Sequence, residues 1–146
     1  MLKKSFFVCC LILTIASLNL AQDEVVTTPA VNSIERMAIM NALRTPIEKE
    51  LKQRIQFTIK HFKVTDTWAF IQGEPLTLKL VQPDYAGTPY QKAVDADAFD
   101  NNYQALLKKT AGKWKVVTYQ IGCTDVCWLG WDEKHKAPKA IFPKTE

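Results

Sequence analysis

Two cysteines that lie four positions apart, Cys123 and Cys127, are the first candidates for chemistry in this sequence. In an extended chain their Cα atoms would lie about 13 Å apart, whereas a disulfide requires less than about 7 Å. A disulfide therefore requires residues 122–127 to turn, and Gly122 and Asp125 are residue types that favour turns. We predict a Cys123–Cys127 disulfide, with two free or buried thiols as the alternative.

A metal or redox site at these cysteines is the less favoured interpretation. His135 lies eight residues beyond Cys127, so the sequence offers a Cys–Cys–His set. Zinc patterns add a second pair of ligands at a fixed spacing, and this set lacks one. The two cysteines also do not form the Cys-x-x-Cys motif of thioredoxin-like redox proteins. We therefore predict no metal site and no cofactor.

Groups suited to acid–base or nucleophilic catalysis are few. The sequence has two histidines, His61 and His135, and the second stands between Lys134 and Lys136. No Ser–His–Asp or Cys–His order stands out, and the glycines are too isolated to form a phosphate-binding loop. The sequence therefore assigns no catalytic residue and favours a protein that is not an enzyme.

Tryptophans and one acid near the disulfide are the better candidates for binding. Trp68 and Trp114 fall in predicted strands and are predicted core residues, whereas Trp128 and Trp131 follow the cysteines. Because an indole is apolar but carries one N–H, it suits a half-solvated binding surface. The predicted binding residues are Asp125, Trp128, Trp131 and Tyr119.

The element that comes first in the chain is predicted to be helical. Asn32 and Glu35 have the spacing of a capping box, and Thr45-Pro46 with Glu48 has the spacing of a second one. The pattern predicts a helix over 33–44 and a short helix over 46–53, or one helix kinked near Pro46. Its predicted apolar stripe consists of Ile34, Met37, Ala38 and Asn41.

After this helix the apolar pattern changes to a period of two, which is typical of strands. A first strand starts at Ile55, and its phase slips at His61-Phe62, which we attribute to a bulge. Residues 68–73 are predicted to pair with it as a hairpin, and residues 76–80 are predicted to form a short strand.

The last predicted hairpin consists of strands 102–109 and 113–121, joined by a turn at 110–112. The second of these strands carries large apolar residues on both faces, which predicts a central position in the sheet. The tail beyond residue 121 is predicted to pack across one sheet face.

The order of the elements, with a helix first and hairpins afterwards, indicates an α+β fold. The helix is predicted to lie on a curved antiparallel sheet of four to five strands. This order is similar, at the level of the fold, to cystatin-like and NTF2-like domains.

The first 21 residues have the pattern of a secretory signal peptide. Lys3 and Lys4 precede an apolar run over 6–16, and a small residue, Ala21, lies at the predicted cut. The run is too short for a comfortable membrane span, although an uncut anchor is the alternative. We therefore predict a signal peptide at 1–21, a flexible arm at 22–32, one domain at 33–146, and a periplasmic or secreted location.

Removing residues 1–21 leaves 17 Lys and Arg against 15 Asp and Glu, a net charge of +2. A nucleic-acid-binding protein would show a larger and clustered basic excess. We therefore predict no nucleic-acid partner, and no membrane span after the signal peptide is removed.

Several short motifs occur in a fixed order along the chain. They are Ala42-Leu43-Arg44-x-Pro46, Trp68-Ala69-Phe70, Gly112-Lys113-Trp114-Lys115-Val116-Val117 and Thr124-Asp125-Val126-x-Trp128. In this order they resemble an uncharacterised family of small secreted proteins of the Gram-negative periplasm. The resemblance implies a periplasmic setting and a single domain, and it implies no reaction.

These observations support two functions. The first is a non-enzymatic binding module whose aromatic tail contacts another envelope protein or a small ligand. The alternative is a small-ligand pocket protein or enzyme of the cone-shaped NTF2-like type, with Asp125, Tyr119 or His61 inside the cone. The alternative requires a hollow between the helix and the sheet.

Overall fold

The structure is a computed structural model that describes residues 24–145. The predicted signal peptide at 1–21 and its cleavage position lie outside the described residues. The elements, in chain order, are α1 Ile34–Leu51, β1 Ile55–Phe57, β2 His61–Val64, β3 Trp68–Gly73, β4 Pro75–Thr77, α2 Gln91–Asp95, β5 Tyr103–Thr110, β6 Lys113–Ile121, α3 Trp131–His135 and a 3-10 turn at Lys139–Ile141.

Four strands form one antiparallel sheet in the order β2-β3-β5-β6, and β1 pairs with β4 in a separate two-stranded sheet. The predicted α+β class is confirmed. No helix within residues 24–145 is both long enough and apolar enough to cross a lipid bilayer.

Helix α1 begins one residue later than the capping prediction required. Its N-cap is Ser33, whose hydroxyl accepts a hydrogen bond from the Arg36 N–H at 3.2 Å. Asn32 stands one position earlier with a left-handed φ of 65°, so the predicted Asn32–Glu35 box is wrong. Ser33, rather than Asn32, therefore caps the helix.

A single helix runs through Pro46, so the alternative of one helix is observed and the division into 33–44 and 46–53 is wrong. The proline removes one backbone donor, and Thr45, predicted as a second cap, lies inside the helix and donates its hydroxyl to the Asn41 carbonyl at 3.3 Å. The helix continues because its buried face does not stop at the proline. That face consists of Ile39, Leu43, Ile47 and Leu51, spaced by four residues.

The predicted apolar stripe of α1 lies on the wrong side of the helix. Ile34 is 83% exposed and Met37 is 49% exposed, whereas the buried stripe begins at Ile39. Both stripes have helical spacing, so periodicity alone could not choose between them. The longer stripe, which extends beyond Pro46, is the one that packs on the sheet.

Side chains fill the space between α1 and the four-stranded sheet. The helix contributes Ile39, Leu43 and Ile47, each with no exposed surface, and the sheet contributes Tyr103 and Ile71, which are equally buried. The hydroxyl of Tyr103 donates to the Thr58 carbonyl at 2.9 Å, so its polar atom is satisfied within this core.

Residues 55–64 and 68–77 pair as one long hairpin that is interrupted in the middle. Its half nearer the turn, β2 and β3, belongs to the four-stranded sheet, and its other half, β1 and β4, forms the two-stranded sheet. The break falls at 58–60, between β1 and β2, rather than at the predicted bulge at His61-Phe62. Gly73 lies at this break, where a Cβ atom would stand 2.0 Å from the Thr58 carbonyl oxygen. The absence of a side chain at Gly73 therefore allows the two backbone segments to approach each other.

Strand β6 is an edge strand, so its predicted central position is wrong. In the pairing of β5 with β6, Leu106 lies opposite Thr118 but the next residue, Leu107, lies opposite Val116. Val117 is therefore the extra residue of a bulge. Because of this bulge, Trp114 and Ile121 both face α1 although they lie seven positions apart. The apolar residues that suggested two buried faces therefore lie on one face.

The opposite face of the sheet, which we call the tail face, carries a second apolar cluster. It contains Trp68, Phe70 and Leu106 from the strands, and Ala137, Ile141 and Phe142 from the tail. The prediction that the tail packs across a sheet face is confirmed. The fold thus has three layers, with α1 on one side of the sheet and the C-terminal segment on the other.

Candidate binding site

A tight turn closed by Cys123 and Cys127 follows the end of β6. The two residues form a disulfide with Cα atoms 6.1 Å apart, as the sequence predicted. Gly122 adopts a φ of 78°, which provides the turn that this bond requires. The side chain of Asn102 donates to the Cys123 carbonyl at 2.6 Å and accepts from its N–H at 3.0 Å. Asn102 therefore fixes the position at which the tail leaves the sheet.

Beyond the disulfide, aromatic rings of the tail surround Phe70, which has no exposed surface. Its ring centroid lies 5.8 Å from that of Trp128, 6.4 Å from that of Trp131 and 4.7 Å from that of Phe142. Trp128 also stacks on Phe142 at 5.7 Å, with 24° between the ring planes. Both tryptophans are half-buried, so one side of each packs on the sheet and the other meets solvent.

His61 holds the tail from the edge of the sheet. Its Nε2 lies 2.8 Å from the Ile141 carbonyl oxygen, to which the N–H donates, and its ring contacts Phe70 edge-on at 5.8 Å. The histidine therefore lies on the tail face, outside the space between α1 and the sheet. Its contacts give it a structural role in attaching the C-terminal segment.

A row of polar side chains crosses the tail face beside this cluster. The strand register aligns His61 with Gln72, Gln72 with Gln104, and Gln104 with Gln120. Gln72 and Gln104 form part of a groove of about 240 Å³, together with Lys60, Gly73, Asn102, Tyr103, Asp125, Val126 and Trp128. The groove brings together two of the residues predicted for binding, Asp125 and Trp128, with amides that the sequence did not single out.

Gln104 is the most unusual member of this groove. The residue is only 6% exposed, and its Oε1 has no hydrogen-bond partner among the described residues. Its Nε2 reaches the Asn102 Oδ1 only at 3.5 Å, the long limit of a hydrogen bond. A buried carbonyl oxygen without a donor costs about 1–3 kcal/mol.

A second hollow, of about 850 Å³, lies on the other side of Trp128. Its lining combines the apolar side chains of Trp128, Leu129, Phe142 and Pro143 with the charged residues Asp132, Glu133, Lys139 and Lys144. Leu129 is 68% exposed although its side chain is large and apolar. Trp128 therefore lies between the polar groove and this second hollow. Trp131, also predicted for binding, packs against Phe70 and lines neither of the two.

Tyr119, the fourth residue predicted for binding, lies on the helix side of the sheet and is not part of the groove. Its hydroxyl donates to Glu50 of α1, and Tyr90 also interacts with the Glu50 carboxylate. Burial, followed by this hydrogen bond, raises the pKa of Tyr119 to about 12. A raised pKa makes the phenol a poorer nucleophile at neutral pH, so this cluster is suited to attaching α1 rather than to catalysis.

The raised pKa of Tyr119 predicts a loss of stability in alkaline solution. The folded protein holds this proton more tightly than the unfolded chain, whose tyrosine pKa is about 10. The resulting stabilisation is complete below pH 10 and is lost as the pH rises towards about 12. We expect the free energy of unfolding, measured in urea, to fall across this range less steeply in Tyr119→Phe than in the wild type. Equal slopes in both proteins would contradict this assignment.

The described residues show no hollow of the kind that the cone-shaped alternative requires, because side chains fill the space between α1 and the sheet. Asp125 is exposed at the groove, Tyr119 contacts Glu50 and His61 contacts the tail, so these three residues do not share one cavity. Within residues 24–145, no three His, Cys, Asp or Glu side chains lie close enough to hold a metal ion.

Comparisons with protein-family models, with curated proteins and with solved structures found no match to this chain.

Proposed function

We propose that this protein is a non-enzymatic binding module of the periplasm or the cell exterior, and that it binds through the polar groove at Trp128. The observation that carries the proposal is the groove itself, in which the amides of Gln72 and Gln104 and the exposed Asp125 lie beside the half-buried indole of Trp128.

The chemistry of the groove favours a polyhydroxylated ligand, such as the saccharide part of an envelope component. The Gln72 and Gln104 amides both donate and accept hydrogen bonds, and Asp125 is an acceptor when ionised. Trp128 adds an apolar ring on which the C–H face of a sugar can pack. An amide row beside an indole therefore matches a ligand with alternating hydroxyl and C–H groups.

The proposal is tested by titrating the isotope-labelled protein with a panel of soluble oligosaccharides and following the backbone amide and indole signals. We expect shifts confined to Gly73, residues 102–104 and residues 125–128. Trp128→Ala should lower the affinity at least tenfold, because the ring that borders the groove is lost. A panel that moves none of these signals would overturn the saccharide proposal.

Gln104→Leu separates binding from stability. This substitution removes the unpaired carbonyl at nearly constant volume, so we expect the free energy of unfolding to rise by about 1 kcal/mol while the affinity falls. Gln120→Leu is the matched control, since Gln120 is the cross-strand neighbour of Gln104 but is exposed and does not line the groove. Equal effects of the two substitutions on affinity would contradict the assignment.

A further inference from the structure

The disulfide between Cys123 and Cys127 has one buried end and one exposed end. Cys123 is only 3% exposed, whereas Cys127 is exposed on the outer side of the turn. A thiolate that cleaves a disulfide has to reach one of the two sulfur atoms, so access decides which of them it attacks. This disulfide is therefore open to attack at Cys127 and shielded at Cys123.

Contacts other than the disulfide attach the tail to the sheet. Asn102 holds Cys123 through two hydrogen bonds. Farther along the tail, Phe70 packs against the aromatic rings, and His61 donates to the Ile141 carbonyl.

The disulfide itself contributes little to the stability of the fold. It joins residues only four positions apart, and closing so short a loop removes little entropy from the unfolded chain. Exposed disulfides are the ones that exchange readily with thiols, whereas structural disulfides resist reduction. The position of this bond is therefore better suited to exchange than to stapling the fold.

The surroundings of Cys123 suit a thiol as well as a disulfide. Its Sγ accepts from the Cys127 N–H at 3.2 Å and contacts the Asp125 carbonyl oxygen. A thiol is both a weak acceptor and a weak donor, so a reduced Cys123 has both kinds of partner beside it. The released sulfur atom can therefore remain buried after the bond is cleaved.

Cleavage of the bond displaces Cys127 rather than Cys123. Two sulfur atoms that are no longer bonded separate to a van der Waals contact of about 3.5–4 Å. Cys123 is buried and is fixed by Asn102, so the exposed Cys127 is the residue that moves. The half-buried Trp128 follows Cys127 directly, so the displacement reaches its ring.

We propose that the Cys123–Cys127 pair is a site of thiol–disulfide exchange with a protein dithiol, and that its redox state sets the position of Trp128. A thiolate of the dithiol attacks the Cys127 Sγ, the bond between the two cysteine sulfurs breaks, and Cys123 leaves as a thiolate that takes up a proton. The second thiol of the dithiol then attacks the mixed disulfide and releases Cys127 as a thiol, so the dithiol is oxidised and the pair is reduced. The pair is the substrate of this exchange rather than a thioredoxin-like catalyst.

The exchange has a consequence for the groove, because Asp125 and Trp128 line it. The affinity of the groove for its ligand changes when the pair is reduced. This consequence rests on the proposed function, whereas the exchange and the movement of Trp128 do not.

Reduction of the wild-type protein by dithiothreitol, a small dithiol, tests the exchange. We expect the bond to be cleaved while the circular dichroism spectrum remains that of the folded protein. Alkylation followed by peptide mass analysis should then place alkyl groups on both Cys123 and Cys127.

Two single variants test which sulfur exchanges. Cys123→Ser leaves the exposed Cys127, and its matched control Cys127→Ser leaves the buried Cys123. We expect oxidised glutathione to form a mixed disulfide about tenfold faster, or more, with Cys127 than with Cys123, as followed by peptide mass. Circular dichroism shows whether each variant is folded, and reduction of the wild type tests the proposal without either of them.

The indole signals of the isotope-labelled protein, recorded without ligand, report the movement. Reduction should shift the Trp128 signal and leave that of Trp68, which lies in β3, unchanged. A variant with both cysteines replaced by serine should show the Trp128 signal of the reduced protein.

Three results would each overturn the proposal. They are a bond that dithiothreitol cleaves only as the protein unfolds, equal exchange rates in the two single variants, and a Trp128 signal that reduction does not move. Failure of every oligosaccharide to bind would overturn the proposed function and leave these three measurements unaffected.

Discussion

Replacing Phe70 with alanine is expected to destabilise the protein by about 3–5 kcal/mol and to release the C-terminal segment from the sheet. The ring has no exposed surface, and it contacts Trp128, Trp131 and Phe142 of the tail together with His61. Its loss leaves a cavity that the sheet cannot close, because Phe70 lies in β3 with strands on both sides. Urea denaturation measures the change in the free energy of unfolding.

Two further measurements separate loss of the tail contact from general destabilisation in this variant. In Phe70→Ala we expect the tryptophan emission to shift to the red and a protease to cleave after residue 127 under conditions in which the wild type is intact. Phe70→Leu is the control, since it keeps most of the apolar volume and should cost less than half as much. A destabilisation by Phe70→Ala below about 1 kcal/mol would show that the tail packs elsewhere.

Replacing Gly73 with alanine is expected to cost about 3 kcal/mol or more, or to prevent folding. The new Cβ would lie 2.0 Å from the oxygen and 2.7 Å from the carbon of the Thr58 carbonyl group. Both are backbone atoms, so no side-chain rotation can relieve the clash. The two sheets would have to separate at the point where the hairpin passes from one to the other. Circular dichroism and urea denaturation measure the outcome.

Gly112→Ala is the matched control for this steric effect. Gly112 has a φ of +74° in the β5–β6 turn, but a Cβ there would meet nothing within 4 Å. The control should therefore lower the free energy of unfolding by only about 1–2 kcal/mol, which is the cost of placing a non-glycine residue in the left-handed region. If Gly112→Ala were as harmful as Gly73→Ala, the close approach to Thr58 would not be what requires a glycine at position 73.

Local patterns in the sequence predicted the fold well where a single element decided the structure. The alternation in residues 102–121, with Gly112 between the two halves, predicted the β5–β6 hairpin, because period and turn chemistry agree there. Pro46 left the prediction open between two helices and one, since propensity is local whereas the burial of Leu43 and Ile47 on both sides of the proline depends on the sheet. The bulge at Val117 misled the position of β6, because one extra residue reverses which side chains share a face.

The candidate site was predictable only where its residues are neighbours in the sequence. Asp125 and Trp128 are in one turn, so composition and spacing singled them out. Gln104 and Gln72 join them through the strand register, and no sequence pattern reveals that two distant glutamines will lie side by side. Glu50 was missed for the same reason, because its contact with Tyr119 spans 69 positions.

The position of β5 also determines when this chain can fold. The strand lies in the interior of the four-stranded sheet, yet it begins only at Tyr103, so the core beneath α1 is incomplete until the last hairpin exists. Completing that core closes loops of many tens of residues, and such contacts slow folding. We therefore expect the core to be completed only after most of the chain has been synthesised. Such a delay is compatible with export of an unfolded chain, the route that the predicted signal peptide implies.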